Sequence, residues 1–112
     1  MNARRLLYAL AAAAALPVFA APDAAPDSAR QRELVRMVRQ DCGSCHGMTL
    51  AGGLGPALTR AALADKPVDS LQAVIEHGRP GTPMPPWRSM LRPGESRWIA
   101  ERLLSGFPEE SR

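Results

Sequence analysis

A seven-residue stretch, Asp41-Cys42-Gly43-Ser44-Cys45-His46-Gly47, contains both cysteines of the chain and one of its two histidines. Two thiols three positions apart can each form a thioether bond to one edge of a porphyrin. The imidazole that follows them can then take an axial position on the iron. This Cys-x-x-Cys-His spacing is the attachment signature of a c-type haem. The motif predicts one covalently bound haem c, with thioethers at Cys42 and Cys45 and with His46 as an axial ligand.

Three other uses of the two thiols remain open at this level. A disulfide between Cys42 and Cys45 would close a very short loop and add little stability. The same spacing serves as the redox dithiol of thiol–disulfide enzymes, although those place it beside a βαβ unit. Zinc or copper could bind both thiols and His46 with a fourth ligand, but a closed zinc site normally draws on a second ligand pair.

The first 20 residues have the pattern of a secretory signal peptide. Arg4-Arg5 is a positive segment, Leu6–Leu16 is an apolar run, and Val18-Phe19-Ala20 precedes the expected cut. The alternative is an N-terminal membrane anchor, but the apolar run is about half of the roughly 20 residues that a spanning helix needs. The pattern predicts export to the periplasm with cleavage after Ala20.

Cleavage would leave 112 less 20, or 92, residues, which is enough for one small domain. It would remove two of the 14 basic residues and none of the 11 acidic ones, so that 12 basic residues face 11 acidic ones. The mature chain has no dense basic run and few aromatic side chains to stack on bases. This composition excludes nucleic acid as a partner.

The rest of the chain predicts an all-α domain with glycine- and proline-rich loops on either side of a ligand. Ser28 and Gln31 form a capping-box pattern, and apolar residues recur every four positions at Leu34, Val38 and Cys42. These signals predict a helix over 29–41 that runs into the haem motif. Its other side is expected to face solvent or to dock an acidic partner, and carries three arginines: Arg32, Arg36 and Arg39.

Three further helical segments and two loops are expected from capping and breaking residues. No period-2 strand pattern occurs in the sequence. We predict a haem domain over 29–107, a mobile lead-in over 21–28 and a tail over 108–112. The three further helical segments are expected over 59–64, from Asp69 or Ser70 to Gly78, and from Pro93 to Gly106. The two loops are expected over 47–56 and 79–87.

Met84 is the predicted second axial ligand. It stands 38 positions after His46, between two prolines, on a stiff loop without a helical period. His77 is the rival and would give a bis-histidine haem, but it lies near a helix end, where an imidazole often meets only the helix dipole and solvent. Met48 is too close to His46 to reach round the ring, and Met90 would need a different course of the loop.

A haem held by His46 and Met84 has both axial positions filled and no open site for oxygen or peroxide. The soft thioether favours ferrous iron and raises the reduction potential. The ligand pair therefore predicts a one-electron carrier rather than an enzyme. A labile Met84 would instead allow a gas sensor or a weak peroxidase.

Four residues outside the ligand set are expected to contact the haem or its ligands. The free nitrogen of an axial histidine usually donates to a carbonyl, and the Gly55-Pro56 turn is placed to supply one at Pro56. Trp87, Arg79 and Arg88 flank the Met84 loop and can donate to the haem propionates. The alternative is an ordinary loop aromatic and two solvated arginines.

With these motifs in place, the chain resembles a small class I c-type cytochrome over residues 30–106. The resemblance rests on Cys42–His46, on Gly53-Leu54-Gly55-Pro56, on Gly81-Thr82-Pro83-Met84-Pro85 and on the helix around Trp98. It implies a class I cytochrome c fold, with about four short helices wrapped around one covalent haem.

In that family the first and last helices cross beside the haem edge. Leu34 and Val38 fit this crossing on the first helix, and Trp98 and Ile99 fit it on the last. The resemblance also implies that the Pro56 carbonyl accepts a hydrogen bond from the axial histidine.

More narrowly, Asp41–Leu50 and Gly78–Trp87 are similar to the NirC-type cytochromes, small periplasmic cytochromes of denitrifying bacteria. The resemblance implies electron donation to the haem-cd nitrite reductase or, alternatively, a redox step in the maturation of its haem d. We expect a monomer whose partners are periplasmic redox proteins, with membranes reached only through membrane-bound electron donors. Arg92 departs from the family, which often has a serine or a similar helix cap at that position.

Overall fold

The computed structural model describes residues 14–19, 21 and 24–111. Within these ranges the backbone forms helices and loops and contains no strand, so the predicted all-α class is confirmed. None of the described helices is long and apolar enough to cross a membrane. Most of the predicted signal peptide, residues 1–13 and 20, lies outside the described residues, and its cleavage stays a prediction.

The first helix, α1 (Ser28–Met37), is capped by Asp27. The Asp27 carboxylate accepts a hydrogen bond of 2.9 Å from a backbone N–H of the first turn. The predicted Ser28–Gln31 capping box is wrong, because Ser28 is already helical and the Gln31 amide donates to the Pro26 carbonyl at 2.8 Å. An ionised carboxylate one position upstream is the stronger acceptor for the free N–H groups of a helix start.

The helix predicted as one element over 29–41 is interrupted. A π-helical turn over Val38–Cys42 follows α1, and a short helix, α2 (Gly43–His46), follows the turn directly. Because an α-helix rotates about 100° per residue, Leu34 and Cys42 would lie roughly 80° apart on a regular helix. The wider π turn reduces this drift, and Cys42 packs against the buried core that contains Leu34.

The predicted arginine face is only partly exposed. Arg32 and Arg36 face solvent, but Arg39 is 9% exposed, so its assignment to the solvated side is wrong. Arg39 lies four residues after the buried Val35 and therefore continues the inner face of the helix. Its guanidinium contacts backbone carbonyls of the segment that follows the last helix, including that of Pro108, the first residue of the predicted tail.

Three more α-helices follow in the part of the chain that the structure describes. The first of these lies inside the helical turn predicted over 59–64 and is capped by Thr59, and the second ends at Gly78 as predicted. The Met84 loop between the second and third contains no α-helix and leads into one turn of 3-10 helix, Arg88–Met90. The bounds are α3 (Arg60–Leu63), α4 (Val68–His77) and α5 (Glu95–Ser105).

Helix α4 starts before the predicted caps Asp69 and Ser70. Pro67 takes the capping position with an extended backbone, and its carbonyl accepts the N–H of Ser70 at 3.1 Å. Proline has a fixed φ that suits a helix entrance and no N–H to leave unpaired. Asp69 therefore falls in the first turn, where a carboxylate favours the helix dipole.

Helix α5 starts at Glu95 rather than at the predicted Pro93, because Gly94 adopts a left-handed conformation with φ of 83°. The Glu95 carboxylate accepts the backbone N–H of Arg92 at 2.9 Å, and the Arg92 carbonyl accepts the N–H of Glu95 at 3.1 Å. The Glu95 side chain thus binds the backbone just before the helix, although position 92 has no serine side chain and no side chain caps the first turn.

One apolar cluster joins α1, the loop after α2, α3 and α5. It includes all four residues that the family resemblance placed at the helix crossing. Its buried members are Leu34, Val35, Val38, Leu50, Leu63, Trp98, Ile99 and Leu103.

Helices α1 and α5 are also joined by an ion pair that the sequence did not reveal. Arg30 Nε and Nη2 lie 2.8 and 2.9 Å from the two carboxylate oxygens of Glu95, and the Glu95 side chain is 4% exposed. The hydrogen bonds from Arg30 hold the pKa of Glu95 below its usual value. This bidentate contact fixes the start of α5 against α1.

Candidate functional site

The two thiols and the imidazole of the motif stand at the end of the first helical segment. Cys42 closes the π turn and is half-buried, Cys45 on α2 is exposed, and His46, the last residue of α2, is half-buried. Both cysteines are described, and they are not joined in a disulfide. Two thiols and an imidazole are therefore presented together by one continuous helical stretch.

The environment of Cys42 is unsuited to thiol–disulfide chemistry. Burial raises the pKa of its thiol to about 11, and the neighbouring Asp41 carboxylate adds to the shift. The nucleophilic cysteine of a dithiol enzyme needs a lowered pKa so that the thiolate is present near neutral pH.

Within the described residues, no group of three or more His, Cys, Asp and Glu side chains is placed to hold a metal ion.

The imidazole of His46 is held in one orientation by the loop that follows α2. Its Nδ1 lies 2.7 Å from the carbonyl oxygen of Pro56, which is the contact predicted from the sequence. When Nδ1–H donates to this carbonyl, the lone pair of the neutral imidazole is on Nε2. The ring is thus oriented with Nε2 available as a ligand.

Gly55 packs directly against the His46 ring. A Cβ atom at this position would lie 2.8 Å from both Cε1 and Nδ1 of His46, so only glycine lets the loop approach the imidazole this closely. The loop is also bonded to the motif through its backbone: the N–H of Gly55 donates to the Cys45 carbonyl at 2.7 Å, and that of Gly52 donates to the His46 carbonyl at 2.8 Å. Sequence reasoning identified the glycine-rich loop but not this contact.

Leu50 anchors the same loop in the core and was also missed. Its side chain is 2% exposed and its φ is 60°, a left-handed conformation that is unfavourable for leucine. The strain is maintained because the N–H of Leu50 donates to the Gly47 carbonyl, its own carbonyl accepts from Leu58, and both distances are 2.8 Å. The loop that holds His46 is therefore fixed at both ends.

The Met84 loop is folded back against the end of α4. The carbonyl of Met84 accepts the N–H of Arg79 at 3.1 Å, and the N–H of Met84 donates to the Thr82 hydroxyl at 3.3 Å. A Cβ at Gly78 would lie 2.6 Å from the Met84 carbonyl oxygen, and Gly78 has a φ of 66°. Glycine at the end of α4 is thus required both by the backbone conformation and by the close approach of this loop.

Exposure distinguishes Met84 from the other side chains considered for the sixth position. Met84 is half-buried, whereas Met48 and Met90 are 67% and 52% exposed. The side chain of His77 is 59% exposed and lies 3.6 Å from the Glu76 carboxylate. Of these four side chains, Met84 alone is not exposed.

Trp87 presents an unpaired donor beside the Met84 loop. Its backbone N–H donates to the Ile75 carbonyl at 3.0 Å, but its indole Nε1 is buried and has no hydrogen-bond partner among the described residues. A buried donor without a partner costs about 1–3 kcal/mol. A haem propionate is an anionic acceptor of the kind this group lacks, so the residues fit the cofactor. Arg79 on the Met84 loop and Arg88 at the start of the 3-10 turn that follows it are both exposed.

Comparison with known proteins places the chain among cytochromes. Residues 29–101 match the family model described as "Cytochrome C oxidase, cbb3-type, subunit III". Over 105 residues the chain is 51% identical to cytochrome c55X of Stutzerimonas stutzeri, and the match covers 94% of this chain and 91% of that protein.

Two solved structures are similar in fold as well as in sequence. The c-type cytochrome NirC has a TM-score of 0.70 at 52% identity, and the match covers 71% of this chain and 94% of that one. The dihydro-heme d1 dehydrogenase NirN in complex with DHE has a TM-score of 0.59 at 31% identity, and the match covers 69% of this chain but only 16% of that one.

Proposed function

Because the chain belongs to the NirC-type family of small c-type cytochromes, which carry electrons on a covalently bound haem c, we propose which of its residues hold that haem. Cys42 and Cys45 form the two thioether bonds, and His46 and Met84 are the axial ligands. The observation that carries this proposal is the hydrogen bond of 2.7 Å between His46 Nδ1 and the Pro56 carbonyl.

The contact with Pro56 has two consequences for His46. It fixes the tautomer, so that Nε2 keeps the lone pair that a metal needs. A hydrogen bond from the second ring nitrogen also orients an imidazole toward the metal it binds. Gly55 keeps the ring from rotating away, because the loop backbone lies against its face.

We infer that Met84 supplies the sixth ligand from the loop that follows α4. Two hydrogen bonds of its own backbone and the close approach of Gly78 hold this loop in place, so the thioether can be presented without reorganisation. A haem with a histidine and a methionine as ligands supplies one-electron chemistry at a raised potential. The task of the chain's residues is to keep both ligands in position in both oxidation states.

Trp87 binds a haem propionate through its buried indole N–H. A hydrogen bond from a fixed donor stabilises the negative charge of a carboxylate. Arg79 lies on the Met84 loop and Arg88 at the start of the 3-10 turn that follows it, and both are exposed. They add positive charge near the propionates, and in solvent their effect is screened by salt.

The electron acceptor is the haem-cd nitrite reductase of denitrification, and the site of action is the periplasm. Support comes from the relation to a NirC cytochrome and from the signal-peptide pattern over residues 1–20. We propose that the mature chain acts as a monomer between periplasmic redox proteins.

A second candidate is a redox role in the maturation of haem d. The fold and sequence likeness to part of the dihydro-heme d1 dehydrogenase NirN favours it. In that case the chain would accept electrons released while haem d is made, rather than feed the finished reductase.

Two measurements separate these functions. Stopped-flow mixing of the reduced protein with purified nitrite reductase should show rapid electron transfer if the reductase is the acceptor. A deletion strain should then make nitrite reductase with intact haem d but low nitrite turnover. Slow transfer in vitro, together with loss of haem d in the deletion strain, would refute electron donation and support the maturation role.

A further inference from the structure

Arg39 ties the C-terminal end of the chain to the turn that carries the first cysteine. Its Nε and Nη2 lie 3.0 and 2.9 Å from the Pro108 carbonyl oxygen, and Nη2 lies 2.9 Å from that of Phe107. The guanidinium also stands over the Phe107 ring, 5.6 Å from its centroid. Glu109 adds a carboxylate contact at 3.2 Å. We call the segment Phe107–Glu109 the C-terminal clamp.

The contact depends on geometry more than on charge pairing. Arg39 is 9% exposed, and a buried guanidinium is unfavourable unless its donors are paired. Its main acceptors are backbone carbonyls just beyond the end of α5. The one carboxylate, Glu109, has a side chain that is 89% exposed, and such an ion pair contributes little. The planar fork of arginine is suited to reach two carbonyls at once.

The position of Arg39 gives this contact a functional meaning. Arg39 lies inside the π-helical turn Val38–Cys42, three residues before Cys42. A π turn is rare and costs more than the regular helix it replaces, and it persists where its surroundings require it. The C-terminal clamp binds the Arg39 side chain of this turn, and this contact would oppose relaxation of the turn to a regular helix.

We propose that Arg39 is a positioning residue for the haem: by binding the C-terminal clamp, it maintains the π turn and so sets the direction from which Cys42 and α2 meet the porphyrin. The proposal rests on haem attachment through Cys42 and Cys45 as proposed above. It makes Pro108 and Glu109, the first residues of the predicted tail, part of the haem site together with Phe107.

Loss of the contact should therefore change the iron as well as the stability of the fold. If the turn relaxes, α2 would rotate with it, and the His46 imidazole would leave the orientation in which Pro56 and Gly55 now hold it. Water then gains access to the iron, which stabilises the ferric state and lowers the potential.

The test compares Arg39→Lys, Arg39→Ala and Phe107→Leu in the haem-loaded full chain, with Arg36→Ala as the control. Arg36 is an exposed arginine of α1, three residues before Arg39. Arg39→Lys keeps the charge but loses the fork, and Phe107→Leu removes only the ring. The readouts are the reduction potential, the rate of carbon monoxide binding to the reduced protein, and unfolding by denaturant.

Positioning by Arg39 predicts a lower potential and about tenfold faster carbon monoxide binding in both Arg39 variants, the low end of what loss of a group that orients a ligand costs. Phe107→Leu keeps both backbone carbonyls and should shift the two readouts in the same direction by less. Arg36→Ala should leave both unchanged. A lower potential in Arg39→Ala alone would mean that the charge acts at a distance and would overturn the proposal. So would variants that are less stable but keep the potential and the carbon monoxide rate of the unmodified protein.

Failure of haem attachment itself would give a different result. Unmodified protein without covalent haem would refute the proposed function. Unmodified protein with covalent haem, beside Arg39 variants with the same properties, would refute only the positioning role.

Discussion

Gly55→Ala should displace the imidazole of His46 without straining the backbone, because Gly55 does not have a left-handed φ. The added Cβ would lie 2.8 Å from Cε1 and Nδ1, whereas ordinary contacts begin at 3.4 Å, so the ring or the loop must move by about 0.6 Å. A similar lengthening of the contact to Pro56, now 2.7 Å, leaves the usual range for an N–H···O bond. Overpacking costs about 1–3 kcal/mol and the weakened hydrogen bond about 1 kcal/mol.

We therefore expect Gly55→Ala to lose about 2–4 kcal/mol of unfolding free energy and to bind carbon monoxide faster once reduced. Denaturant unfolding and flash photolysis of the haem-loaded protein measure the two effects. Gly43→Ala is the matched control: it lies in the same motif, and its added Cβ would be 3.6 Å from the nearest atom, an ordinary contact. A Gly55→Ala protein as stable and as unreactive as Gly43→Ala would refute the placement of the ring.

Three further predictions concern the other ligand, the propionate donor and the Arg30–Glu95 ion pair. Met84→Ala should lower the potential and open the iron to carbon monoxide, whereas His77→Ala should do neither; the reverse result in a redox titration would assign the sixth ligand to His77. Trp87→Phe should lower the unfolding free energy of the haem-loaded protein by about 1.5–3 kcal/mol, the range for a hydrogen bond to a charged group, and should lower its reduction potential. Unfolding curves identical to those of the unmodified protein would contradict a hydrogen bond from Trp87 to a propionate. Arg30 holds the folded-state pKa of Glu95 below its usual value, so the pair stabilises the fold above about pH 4.3 and this contribution is lost as pH falls through the lowered pKa. Glu95→Gln should lower the free energy of unfolding by about 2 kcal/mol at neutral pH, which is below the range for fully buried pairs because Arg30 is 19% exposed. The stability of this variant should also fall less steeply at acidic pH, and a fall as steep as that of the unmodified protein would contradict the assignment.

The sequence was most informative where one residue type has one physical use. Cys42, Cys45 and His46 form a motif whose spacing fits a porphyrin edge. An axial histidine usually donates to a carbonyl, and the Gly55-Pro56 turn is placed in the sequence to supply one. Glycine and proline also ended helices where expected, as at Gly78. In these places the local chemistry decides the structure without reference to distant residues.

The features that could not be predicted depend on contacts between distant segments. Arg39 looked like a solvated residue because its partners lie 68 to 70 positions away. Glu95 is paired with Arg30 across 65 positions, and no periodicity encodes such a pair. The left-handed Leu50 is possible only because the core offers its side chain a buried place. The π turn has a weak signal, the four-residue spacing from Leu34, which can be interpreted equally as a regular helix.

The proposed set of haem ligands is tested most directly by the visible spectrum of the purified protein, made in a host that attaches haem c. If Cys42 and Cys45 hold the haem and His46 and Met84 fill the axial positions, the haem should stay with the chain after extraction with acidified solvent. The reduced protein should then give a low-spin spectrum that carbon monoxide changes only slowly. A chain whose two thiols titrate freely and that retains no haem would contradict the attachment. Rapid binding of carbon monoxide would contradict the closed His46/Met84 pair.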